Sequence, residues 1–191
     1  MSRNVMLVVC ALALALCTAS AWASTTPPAD TLKVDYFANA NTAGAPDGTV
    51  RLTNPGTAGG NLCAAVFVLD ANQEMSECCS CFLSPDGLRT LSVNTDLTRN
   101  PQTGVTLNTG AIKIVSTGTT GGACPLPTKF TPIAAVRAWT THIQNASFAV
   151  TETASQDATL STGEVGRLQA ECTAIRTDGS GKGICSCGSG D

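Results

Sequence analysis

Apolar and polar positions alternate with a period of two along much of the chain. In "LKVDYF", Leu32, Val34 and Tyr36 alternate with Lys33 and Asp35, which predicts a half-buried strand. After "NANTAGAPDG" breaks that run, "TVRLTN" from Thr49 predicts a second short strand, ended by "PGTAGG". "LCAAVFVLD" from Leu62 is almost continuously apolar and rich in Val and Phe, so it predicts a central strand packed on both faces. The chain then turns at "ANQE" and returns through "MSECCSCFL". A hairpin centred near Asn72 sets Cys63 opposite Ser80.

Further strands are predicted in "LRTLSVNTDL" after the turn "SPDG", in a short "GVTLN" and in "GAIKIVS". In "PIAAVRAWTTHIQNASFAVTET", Ile133, Val136, Trp139 and Ile143 suit a helix, but the β-branched content and Asn145 favour two strands. Gly, Pro and Thr punctuate these segments about every 10 residues, the spacing of a sandwich or barrel.

One segment has a different period. Val165, Leu168, Cys172 and Ile175 recur at steps of three, four and three, behind a capping box formed by Ser161 and Glu164. This predicts an amphipathic helix over 161–176, ended by "DGSGKG" and followed by a short strand at "ICSC". The fold class is therefore mainly β: an antiparallel β-sandwich with one short C-terminal helix.

The N-terminal end changes the meaning of the cysteines. Arg3, the apolar run Val5 to Cys17 and the small-x-small triplet Ala21, Trp22, Ala23 have the form of a secretory signal peptide over residues 1–23. Leu16, ahead of Cys17, is too large for a lipoprotein cut there. No later segment has the roughly 18 to 20 apolar residues of a helical membrane span. Residues 24–31, with "STTPPAD", are expected to form a flexible leader, and residues 32–191 a single β-rich domain with a cysteine-containing tail.

Without the signal, ten basic face fourteen acidic side chains, a net charge of −4 spread without runs. This disfavours nucleic acid or an anionic membrane as a partner. Eight cysteines remain: Cys63, Cys78, Cys79, Cys81, Cys124, Cys172, Cys185 and Cys187. An even count in an exported chain reads as a disulfide framework. Alternation along a strand places Cys79 and Cys81 on one face and Cys78 on the other, so they reach different partners. Cys63 is expected to bond one of this triplet across the hairpin, and Cys172 to bond Cys185 or Cys187 as the Gly-rich loop folds back.

Neither C-C-x-C nor C-x-C has zinc spacing; C-x-C suits copper(I), but only after reduction. No metal or cofactor is expected. His142 is the single histidine, with no acidic neighbour in sequence and no G-x-S-x-G elbow, so it reads as an ordinary surface or core residue. Nothing in their spacing singles out a catalytic pair among Asp47, Asp70, Glu74, Glu77 and Glu152. "DGSGKG" fails both as a phosphate loop and as a calcium loop. Asn145, Ala146 and Ser147 form a glycosylation sequon that also suits a hairpin turn. Trp139 and Tyr36 are candidate ligand-facing aromatics, although a chain with few aromatics tends to spend them on its core.

The expected function is that of a secreted, extracellular or periplasmic domain without enzymatic activity, structural or adhesive at the cell surface and open to self-association. The alternatives are a glycan- or peptide-binding module using the end loops and, behind it, a hydrolase using His142. In one variant the leader and "LKVDYF" leave their own sheet to complete a neighbour's.

Overall fold

The computed structural model describes residues 31–98, 106–178 and 185–187; the expected signal peptide, 1–23, and residues 24–30 of the expected leader lie outside them. Nine strands are described: β1 (Leu32–Phe37), β2 (Thr49–Thr53), β3 (Leu62–Asp70), β4 (Met75–Leu83), β5 (Leu88–Ser92), β6 (Gly110–Gly118), β7 (Arg137–Gln144), β8 (Ala149–Ala154) and β9 (Gln156–Ala158). One helix, α1, spans Thr162–Asp178. The strands form two antiparallel sheets, ordered β4-β3-β6-β1-β9 and β5-β2-β7-β8.

The five-stranded sheet is covered on both faces, giving three layers. Leu62, Ala64, Val66 and Val68 of β3 pack against Val50, Leu52, Leu91 and Val136 from the four-stranded side. The alternate residues Ala65, Phe67 and Leu69 pack with Leu168 and Cys172 of α1. This is why β3 shows no alternation: water reaches neither face.

The helix is built as its sequence predicts. Ser161 caps it, its Oγ accepting from the Glu164 backbone N–H at 3.1 Å. Leu168 and Cys172 are fully buried against the sheet, with Val165 packed beside them. Glu164 also receives Lys113 of β6 at 2.6 Å and Arg167 at 2.9 Å, tying the exposed side of the helix to the sheet.

Several local expectations change. "LRTLSVNTDL" is a strand only to Ser92; Val93–Leu97 forms one π-helical turn, whose start is capped by Ser92 Oγ accepting from the Thr95 N–H. Leu107 joins the core, yet Thr106–Asn108 are not a strand, and the rest of "GVTLN" lies outside the described residues. Cys185–Cys187 are not a strand either, and Ile184 lies outside the described residues. The β3–β4 hairpin pairs Ala65 with Ser80 and Cys63 with Phe82, two residues from the expected register. The shift follows from a wider turn, in which Asp70 Oδ1 accepts from Asn72 and Glu74 N–H, and from an irregularity beyond Val68.

That register, with the layering, decides the cystines. The pairs are Cys63–Cys124, Cys78–Cys172, Cys79–Cys185 and Cys81–Cys187. The expected bond from Cys63 to the triplet does not form, because Cys63 faces away from Cys79 and Cys81 and lies four positions along β3 from the partner of Cys78. The expected bond from Cys172 to the tail does not form either. Cys172 sits in the helix-side layer beside Cys78, whereas Cys185 enters the core between the sheets beside Cys79 and Cys81. The sheet separates the two groups.

Candidate functional site

The two sheets part at the edge where β1 meets β7 and β8. β8 and β9 form one run that leaves the four-stranded sheet at Ser155 and joins the five-stranded one. The crossing is held by the Ser155 N–H donating to the Ala138 carbonyl at 2.9 Å. β9 pairs only with Leu32, Lys33 and Val34, so among the described residues no strand covers Asp35–Phe37 of β1 on that side. A cleft of about 490 Å³ opens there, lined in part by Val34, Asp35, Tyr36, His142, Gln144 and Thr153.

The surface of this cleft is mostly apolar, with a polar group, Asp35 and His142, buried beneath it. Lys33 and Asp35, the polar positions of β1, face the second sheet, because Leu32 and Val34 are taken by the helix-side layer. Lys33 is buried and ion-paired to Asp157, its cross-strand partner on β9. His142 is 3% exposed. Its Nε2 lies 2.9 Å from Thr153 Oγ1 and 3.4 Å from Asp35 Oδ1. Asp35 Oδ1 also accepts from the Tyr36 N–H at 2.9 Å. Two buried atoms of this group, His142 Nδ1 and Asp35 Oδ2, have no hydrogen-bond partner among the described residues, an arrangement that costs free energy unless something supplies one.

Tyr36 covers this group. Its ring stacks on His142 with centroids 4.3 Å apart and planes inclined by 28°, and its hydroxyl accepts from Gln144 Nε2 at 3.2 Å. Tyr36 is nonetheless 47% exposed, against the expectation of a core aromatic. Trp139 is 37% exposed and lines a smaller cleft with Lys33, Arg137 and Asp157. It lies outside the His142 cleft.

The sequence-level carboxylates do not converge. Asp47 holds Ser92 Oγ and the Asn94 N–H, Asp70 closes the β3–β4 turn, and Glu152 pairs with Arg51. Glu77 is fully buried on the inward face of β4, where desolvation, reinforced by the charge of Asp96, raises its pKa to about 7. The acid that meets His142 is Asp35, 107 residues away in sequence; the period-two reading set it on the polar side of a half-buried strand, and it turns inward because both faces of β1 are covered. Asp35 and Thr153 both contact the same ring nitrogen. A relay places the acid on one nitrogen and the nucleophile on the other, so this group is not arranged as one.

No family model matches the chain, and neither a curated protein nor a solved structure matches it.

Proposed function

We propose that the chain is an exported adhesive domain that holds a glycan in the edge cleft and carries out no reaction on it. The observation that carries this reading is Tyr36, half exposed yet stacked on buried His142 at the mouth of a cleft of about 490 Å³. A volume of that order suits a small ligand, and such sites combine an apolar platform with a few fixed polar groups. The phenol face offers the platform, while Tyr36 hydroxyl, Gln144, Thr151, Thr153 and Gln156 offer donors and acceptors to sugar hydroxyls. Export is supported by four cystines, a usage typical of oxidising compartments.

The test is a glycan array probed with the mature chain. Binding is expected to weaken about tenfold in Tyr36→Ala, equivalent to the upper end of an aromatic contact of about 1.5 kcal/mol. Trp139→Ala, outside the cleft, is expected to bind as the parent does. An empty array, or a Tyr36→Ala protein that binds unchanged, rejects the reading.

A structural subunit completed by strand exchange is the competing reading. In the single chain β1 is paired on both sides, by β6 along its length and by β9 over three residues. Deletion of residues 24–38 is accordingly expected to abolish folding. A folded monomer that no longer assembles is the result exchange requires.

A further inference from the structure

The other chemical cluster lies where the tail meets β4. Cys79 and Cys81 share the inward face of that strand, and each is bonded to a cysteine of the second C-x-C pair, Cys185 and Cys187. Four sulfurs from two distant segments are thereby gathered in one place. Cys79 Sγ and Cys81 Sγ, which are not bonded to each other, are 3.9 Å apart, and those two with Cys187 Sγ all lie within 4.8 Å of one another.

A tetrahedral four-thiolate centre with metal–sulfur bonds of about 2.3 Å has sulfur–sulfur edges of about 3.8 Å. Cys79 and Cys81 already stand at that spacing with Cys187 close to both, so the two bonded pairs have to part and Cys185, held against Cys79, has to move into reach of the other sulfurs. The one C-x-x-C spacing, Cys78 to Cys81, is split between the two faces of β4, but two C-x-C pairs brought side by side supply four thiols.

We propose that Cys79, Cys81, Cys185 and Cys187, once reduced, form a binding site for one thiophilic d¹⁰ cation of the Zn²⁺ class. The reductant is a dithiol. Each disulfide takes two electrons and two protons from one dithiol molecule, which leaves as its own disulfide. The four resulting thiols release protons to solvent as the cation binds their thiolates. The same four residues would then hold the tail to β4 in both redox states, by covalent bridges or through the metal.

The test uses the full mature chain, reduced with dithiothreitol and desalted without oxygen, titrated with Zn²⁺ against a chromophoric chelator, and with Co²⁺ as a visible reporter of tetrahedral thiolate. One equivalent is expected to bind the reduced chain and none the oxidised chain. A Cys79→Ser, Cys81→Ser double variant is expected to lose the site, and a Cys63→Ser, Cys124→Ser double variant to keep it. Circular dichroism of each reduced sample separates a built site from metal picked up by unfolded thiols, which would be lost equally in both double variants. Equal loss in the two variants, retention by Cys79→Ser, Cys81→Ser, or no binding by the reduced chain overturns the proposal.

Discussion

Glu77 is an acid in a wall otherwise made of sulfur and aliphatic carbon, opposite Val68 on the inward face of β4. Burial and the neighbouring charge of Asp96 raise its pKa to about 7, above the 4.5 of an ordinary glutamate. Between those two values the folded chain keeps a proton that the unfolded chain releases, so stability falls as pH rises through that window. In the disulfide-intact protein, denaturant midpoints are expected to drop from pH 5 to pH 8, and Glu77→Gln is expected to flatten the profile. A profile identical to the parent's would mean that Glu77 is ionised without cost. At Asp35 the same logic of faces operates. Its alternation with Val34 was legible, but which of two covered faces it would meet was not, because both sides of β1 are occupied by other layers.

At the scale of elements, α1 and β3 depend on each other. Phe67 and Leu168 are both fully buried in the layer between helix and sheet. Phe67→Ala is expected to cost about 3–5 kcal/mol in denaturant unfolding, through lost burial and the cavity left behind. Glu164 serves this element differently: its hydrogen bonds to Arg167, with Lys113 also pairing, lower its pKa to about 2. Its contribution is present above the ordinary glutamate value and is lost as pH falls from there toward 2. Glu164→Gln is therefore expected to destabilise the protein at pH 7 but not at pH 2, as read by thermal melts at the two values. The helix was legible in sequence because its cap and its apolar spacing are local. The π-helical turn after β5 was not, since Val93 and Leu97 are apolar residues that alternate no worse than a strand until Leu97 must enter the core.

At the scale of the molecule, the cystine map is the most direct check on the layering. Proteolysis without reduction, followed by mass spectrometry, is expected to recover Cys63 with Cys124 apart from one cross-linked cluster that joins Cys78, Cys79 and Cys81 to Cys172, Cys185 and Cys187. Partial reduction with alkylation of that cluster is expected to assign Cys78 to Cys172. A Cys172–Cys185 bond would contradict the separation of the two cores by the five-stranded sheet. The sequence alone determined the β class, the helix with its cap, the doubly buried β3, and which triplet cysteines share a face, because each depends on spacing within one segment. Tertiary structure alone decided the cystine partners, the meeting of Asp35 with His142 and the exposure of Tyr36. Those depend on how segments far apart in the chain are layered, and on an edge left open where β9 stops short, neither of which has a local signature.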